Sequence, residues 1–270
     1  MKLGISSFAY AWAIGVPGYP RSATGRLSAA GLLRKAAALG VRVVQIADNL
    51  PLHALSDQEL TELERLASEL EIRIEVGARG LGNLSGYLDL ALRFHSPILR
   101  VVIDTTEHQP DMEEVIRRFS SAVPAFEREG VLLAVENHDR FTARQFRSII
   151  EAVGSPNIGI CLDTVNSFGA LEGPEVVVDL LAPFVVNLHI KDFTVYRLEH
   201  NMGFIVEGRP AGQGRLDIPR LLDQLKATGR DPNAILELWV PPQPTIEKTI
   251  EKEQEWAESS VRYLRTLIPD

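Results

Sequence analysis

The sequence predicts a (β/α)₈ TIM barrel, and three observations carry that expectation. Its 270 residues lie close to the roughly 250 typical of a one-domain barrel. Short β-branched runs alternate with longer amphipathic stretches from one end to the other, the pattern of a parallel sheet with helices outside it. Eight strand–helix units can be traced, and eight favours a closed barrel over an open doubly wound sheet. No G-x-G-x-x-G follows the first strand, so a dinucleotide fold has little support. No linker, low-complexity tract or charge block marks a boundary, and residues 1–270 read as one domain.

Taken in order, strands are expected at Leu3–Ser6, Val43–Ala47, Arg73–Gly77, Leu99–Asp104, Leu132–Glu136, Ile158–Asp163, Val185–Ile190 and Ile235–Leu238. Helical periodicity falls between them at Ser28–Leu39, Asp57–Leu70, Asp111–Glu129, Ala143–Val153, Pro174–Leu181, Ile218–Thr228 and Ile246–Leu267. Capping chemistry agrees with these limits. Ser28 stands where a side chain can cap a first turn, and Gly40 where that helix should stop. Ser56 precedes the helix opening at Asp57, Thr142 or Phe141 the one opening at Ala143, and Gly154 ends the latter. Two connections are long. Phe8–Arg26 offers Phe8, Tyr10, Trp12 and Tyr19, either as a wall for the apolar face of a sugar or simply to close the barrel mouth. Phe193–Arg215 reads as a lid without regular structure, with Arg209 as its substrate contact. Gly212 and Gly214 read as backbone requirements of a turn, not as phosphate binders.

Bulk properties exclude several function classes. The net charge of −8 argues against nucleic acid or anionic membrane as a partner, because both demand a basic face. No apolar run approaches the roughly 20 residues needed to span a bilayer, and MKLGISSFAY lacks the layout of a signal peptide. The one cysteine, Cys161, rules out an intrachain disulfide and fits a reducing cytoplasm.

Strand parity then locates a site. Alternate residues of a barrel strand face the interior. With Leu133 and Val135 turned to the helices, Ala134 and Glu136 point inward. The same rule sends Gly159, Cys161 and Asp163 inward on the sixth strand, Asn187 and His189 on the seventh, and Ile235 and Glu237 on the eighth. Four successive strands each aim a metal-competent side chain at the C-terminal mouth, where barrels place their active sites. Taken singly, an acidic strand end is more often a cap or an ion-pair partner, and a histidine more often a hydrogen-bonded core residue. Three converging carboxylates, however, repel one another unless a cation sits between them. Oxygen-rich ligation favours Mn²⁺ or Mg²⁺, with Co²⁺ or Zn²⁺ tolerated because of the imidazole. Parity also places Glu75 and Arg100 inside as neighbours, read as a structural ion pair with substrate contact as the alternative, and Asp104 higher on the same face, within reach of a ligand.

The runs AVENHDRF, CLDTVNSFG, NLHIKDF, EGRPAGQGRLDIP and LELW resemble the xylose isomerase-like barrels. More narrowly, they are similar to the sugar isomerase/epimerase group that includes ketose 3-epimerases, hydroxypyruvate isomerase and inosose dehydratase. The resemblance covers nearly the whole chain. It implies one divalent metal held by Glu136, Asp163, His189 and Glu237, the four positions that parity selects. It also implies that Glu136 and Glu237 act as acid and base on a small hydroxy-carbonyl carbohydrate, passing through a stabilised enediolate. The sequence departs from the epimerases at Asn166, where they commonly carry histidine; an amide binds oxygen but relays no proton at neutral pH. His138, Asn166, Lys191 and Arg209 are the expected substrate contacts, and Asp192 beside Lys191 is expected to support a ligand or to contact the substrate.

The expected activity is therefore a metal-dependent isomerase or epimerase of a small polyhydroxy-carbonyl compound. The alternative is a lyase or dehydratase, using the same site to expel a leaving group after the same proton abstraction. A repair endonuclease would need a trinuclear zinc cluster with more histidines than the six present, and a basic groove. A barrel that only binds sugar is disfavoured because all four metal positions are filled. Such barrels often assemble as homo-oligomers, and nothing in the sequence fixes an interface.

Overall fold

The structure is a computed structural model describing residues 1–23 and 25–269. Eight parallel strands close into a ring: β1 (Leu3–Ser6), β2 (Val43–Ile46), β3 (Arg73–Arg79), β4 (Ile98–Val102), β5 (Leu132–Glu136), β6 (Ile158–Asp163), β7 (Val185–Ile190) and, completing it, β10 (Asn233–Leu236). Two further strands, β8 (Asp192–Arg197) and β9 (Phe204–Arg209), form an antiparallel hairpin between β7 and β10. The barrel closes where β1 pairs with β10, Leu3 opposite Ala234.

Helices surround the ring: α1 (Ala11–Ile14), α2 (Ala29–Ala38), α3 (Asp57–Glu69), α4 (Leu84–Arg93), α5 (Met112–Glu129), α6 (Ala143–Val153), α7 (Pro174–Leu181), α8 (Ile218–Ala227) and α9 (Ile246–Leu264). Local chemistry explains their limits. Ser56 and Glu59 form a reciprocal capping box at α3, and Thr142 and Gln145 another at α6. Gly154 ends α6 in the left-handed conformation at φ 63°, which costs glycine nothing. Helix α6 buries Ala143, Phe146, Ile149 and Ile150 on one face, each of the larger three contributing roughly 1.5–3 kcal/mol by leaving water.

Parity holds in the packing. Leu133, Val135, Ile160, Leu162, Leu188, Ile190 and Leu236 join the core that reaches the helices. Ile98, Ala134 and Cys161 form a separate small cluster, consistent with the barrel interior. Below the mouth that interior is polar. Glu75, only 1% exposed, accepts from Asn233 Nδ2 at 2.7 Å, Asn187 Nδ2 at 3.1 Å and Gln45 Nε2 at 3.2 Å. Burial raises its carboxyl above the ordinary value, and these three amides only partly offset that.

Several expectations need correction. The eighth barrel strand begins two residues early and ends at Leu236, so Glu237 stands just beyond it; its amide still donates to Ile190 O at 3.1 Å. The stretch 193–215 is not an irregular lid, since most of it is the β8–β9 hairpin. Helix α4 was absent from the expected set; its N-terminal neighbour Asn83 makes no side-chain cap, so the start signal is missing. The Glu75–Arg100 pair does not form. Gly77, not Glu75, lies level with Arg100, because barrel stagger lifts each strand relative to the last. Arg100 instead reaches up to Glu136 and Asp48.

Among the described residues, no helix is long and apolar enough to cross a membrane.

Candidate metal centre and active site

The C-terminal ends of β5, β6, β7 and β10 bring Glu136, Asp163, His189 and Glu237 together, all of them at most 1% exposed. His189 Nδ1 lies at the centre, 3.3 Å from Glu136 Oε2, 3.4 Å from Glu237 Oε1 and 3.6 Å from Asp163 Oδ2. Two ligands each about 2.1 Å from one ion stand roughly 3.0–3.4 Å apart. The separations therefore suit a cation shared by Asp163, His189 and Glu237, which group together, while Glu136 groups with His189 and Cys161. Neither His189 Nδ1 nor Glu237 Oε1 has a hydrogen-bond partner among the described residues. A buried polar atom left in that condition is costly, and a cation would satisfy both.

Each group is aimed by its surroundings. Asp163 Oδ1 accepts from the amides of Val165 and Asn166 at 2.9 Å each, which leaves Oδ2 for the centre. Asn137 brackets the Asp163 backbone, accepting from its amide at 2.7 Å and donating to its carbonyl at 2.9 Å. Beneath the site, Gln45 spends its Nε2 as a donor to Glu75 and Asn187. Its Oε1 therefore faces His189 Nε2 as an acceptor at 2.7 Å, placing a ring proton on Nε2. Glu136 is held at both oxygens, by Arg100 Nε on Oε2 and by Asn166 Nδ2 on Oε1 at 2.8 Å.

Lys191 is the other cation of the centre. Its Nζ lies 2.8 Å from both Asp163 Oδ2 and Glu237 Oε2, and 3.3 Å from Asn166 Oδ1. Burial disfavours its charge, but Asp163 and Glu237 outweigh this and hold the ammonium well above its usual pKa. Burial alone would also raise Asp163, yet Lys191 and His189 keep that carboxyl well below the usual range. Glu237 is lowered too: burial works against its charge, His189, Lys191 and Arg100 for it. Burial pushes the neighbouring Cys161 thiol up to about 11, so it stays protonated at neutral pH. Burial disfavours charge on His189, but the acidic groups around it, Cys161, Glu237 and Glu136, raise its imidazole well above the ordinary value. Three carboxylates thus face Arg100, Lys191 and His189, and a divalent ion at Nδ1 would take the place of the ring proton there.

Above this floor opens a cavity of about 280 Å³, lined by Phe8, Arg79, Arg100, Glu136, His138, Asp139, Asn166, Lys191, Glu237 and Trp239. Larger hollows lie elsewhere. One of about 790 Å³ near Arg73 and His95 is at the opposite end of the barrel, and one of about 350 Å³ lies between α7 and α8. Neither gathers a converging buried set, and barrel chemistry belongs to the C-terminal mouth.

The structure brings His138, Asn166 and Lys191 to the cavity wall, His138 with its Nδ1 2.9 Å from Asp139. Arg209 is not among the lining residues; it lies on β9 and pairs with Glu207 at 2.5 Å. Asp104 does not reach the cavity either, because Arg140 grips it with two bonds of 2.7 and 2.9 Å. Of the four aromatics after β1, only Phe8 lines the mouth. Tyr10 is buried, and Trp12 packs edge-on against Tyr19 while donating to Val240 O. Asp192 proves structural. Its carboxylate accepts from the amides of Phe193, Gly212, Gly214 and Leu216. A side chain at Gly214 would overlap that carboxylate, and Gly212 sits at φ 82°. Sequence reasoning missed Gln45, Asp48, Arg79, Asn137 and Trp239. A polar residue inside the apolar run VVQI was the available signal for Gln45.

Comparison with known proteins places this geometry. A family model described as xylose isomerase-like TIM barrel matches residues 33–267. The chain is 35% identical to a 3-oxo-isoapionate decarboxylase of Pectobacterium atrosepticum, over 100% of this chain and 97% of that one. Its fold resembles that of D-psicose 3-epimerase with D-tagatose from Clostridium cellulolyticum H10, at TM-score 0.75 and 16% identity over 99% of both chains. It also resembles a xylose isomerase-like TIM barrel protein from Mycobacterium smegmatis in complex with magnesium, at TM-score 0.70 and 15% identity over 97% of both. The chain belongs to the xylose isomerase-like TIM barrel family.

Proposed function

We propose that this protein is a metal-dependent lyase that decarboxylates a small polyhydroxy 3-oxo acid. The observation that carries the reaction is the full-length, 35% identity to a decarboxylase of that substrate type. Glu136, Asp163, His189 and Glu237 would hold one divalent ion, with Mn²⁺ or Mg²⁺ the best match to three carboxylates and one imidazole. That ion would supply Lewis-acid stabilisation to the oxygen on which negative charge develops.

In a 3-oxo acid, the bond from the carboxylate carbon to the α carbon breaks. CO₂ departs, and its electron pair becomes an enolate with the neighbouring carbonyl. The α carbon then needs one proton. Glu237 is assigned that transfer, taking the proton from water and passing it on, because neither of its oxygens has a hydrogen-bond donor among the described residues and one stays free when the other binds the ion. Glu136 is assigned to holding, since Arg100 and Asn166 occupy both of its oxygens. Phe8 and Trp239 give the cavity apolar walls that limit water.

A second reading, isomerisation or epimerisation of a keto sugar, is favoured by one observation. Glu136 Oε2 and Glu237 Oε1 lie 3.3 and 3.4 Å from His189 Nδ1, the two carboxylates that a two-base proton exchange requires. Against it stand the commitments of Glu136 and the amide at Asn166. NMR of turnover in D₂O separates the two. Decarboxylation releases CO₂ and places one deuterium on the product, whereas isomerisation exchanges the proton with every carbon retained. Glu237→Gln is expected to lower CO₂ release by about 10²–10⁴-fold; a near-normal rate would remove it from the proton transfer.

A further inference from the structure

We propose that Lys191 makes the site select a carboxylate ligand over a neutral sugar of the same size. The inference rests on the metal centre proposed above and assigns one residue to its substrate class. Asp48 and Arg79 neutralise one another at 2.9 Å, leaving Glu136, Asp163 and Glu237 against Arg100 and Lys191. All five are at most 6% exposed, so their charges are weakly screened. With a divalent ion bound and His189 ligating as the neutral ring, the balance is +1, and one anionic ligand then brings it to zero. Without Lys191 the loaded site would already be neutral, and a neutral sugar would match it.

Donor arithmetic points the same way. An ammonium has three N–H groups; Lys191 donates one to Asn166 Oδ1 at 3.3 Å and stands in ion-pair contact, without an aligned hydrogen bond, with Asp163 Oδ2 and Glu237 Oε2. Asp163 Oδ2 is the only oxygen of that carboxylate not tied to backbone amides. An ion that takes this oxygen competes with Lys191 for it, and a released N–H belongs to a side chain already forming the cavity wall beside Trp239. A substrate carboxylate is the acceptor that completes it.

The test uses D-ribonate and ribitol, five-carbon probes that differ by a carboxylate in place of a hydroxymethyl group. Calorimetry of the Mn²⁺-loaded protein at low salt is expected to give ribonate at least about tenfold tighter binding, the equivalent of about 1.4 kcal/mol. Lys191→Met should bring the two within about threefold, and Lys191→Arg should keep most of the preference. Equal affinities in the wild type, no ribonate binding at millimolar concentration, or a preference surviving in Lys191→Met would overturn the proposal. Should Lys191→Met fail to bind Mn²⁺, Lys191→Gln takes its place with the same expectation, and a preference of about tenfold surviving there overturns the proposal. The reaction is scored separately. CO₂ release without ribonate preference removes the selectivity and keeps the lyase, while preference without CO₂ release does the reverse.

Discussion

At the scale of single residues, the centre depends on neighbours that never touch its middle. Gln45 can offer only its oxygen to His189, because its amide nitrogen is spent on Glu75 and Asn187. That fixes a proton on Nε2 and turns Nδ1 toward the carboxylates, the orientation a metal ligand needs. Gln45→Leu is therefore expected to weaken Mn²⁺ binding by about 10–100-fold with the fold intact, measured by calorimetry beside a circular dichroism spectrum. Unchanged affinity would show that the ring needs no such partner. Glu136, Asp163 and His189 were legible in the sequence because side-chain alternation along a strand is fixed. The partner of Arg100 was not. It depends on how far one strand slides past the next, and no single strand encodes that stagger.

Among the elements, the β8–β9 hairpin and helix α9 do the work of holding the mouth. The carboxylate of Asp192 gathers four backbone amides at the foot of the hairpin. Asp192→Ala should lower unfolding free energy by about 2–4 kcal/mol, read from denaturant titration, and should raise hydrogen exchange at residues 212–216. On α9, Glu253 accepts from the amides of Trp12 and Ala13 at 2.8 and 3.0 Å, pinning the loop that carries Phe8. Burial pushes its carboxyl up to about 8, against the pull of those two amides. An acid raised on folding contributes stability below its unfolded value, near 4.3, and loses it as pH climbs to about 8. Between pH 5 and 8 the wild type should therefore lose stability relative to Glu253→Gln, by at most about 1.4 kcal/mol per pH unit. Parallel curves for the two proteins would contradict this. The hairpin was expected as an irregular lid, although FTVYR and FIVEG alternate around a turn of His200, Asn201 and Gly203. Helix α4 was harder, lacking a side-chain cap at Asn83.

For the whole molecule, folding and ion binding are linked. An ion that binds only the folded chain adds about 2.7 kcal/mol at a hundred times its dissociation constant. Mn²⁺ should accordingly raise the melting temperature, EDTA should reverse the rise, and Asp163→Ala should abolish it; identical melts with and without Mn²⁺ would count against the centre. The overall architecture was legible because eight apolar runs with helical spacers admit few arrangements. How the ring shuts has a kinetic consequence. Its seam joins Leu3 to Ala234, the most distant pairing the sheet contains, and such contacts form late because loop closure must precede them. Glu237 stands three residues beyond Ala234 on the strand that also pairs with β7, so a chain with β5 to β7 assembled but β10 not yet docked presents three of the four ligands. Tight ion uptake would then time the shutting of the ring, and a stopped-flow metal signal during refolding would serve as its clock.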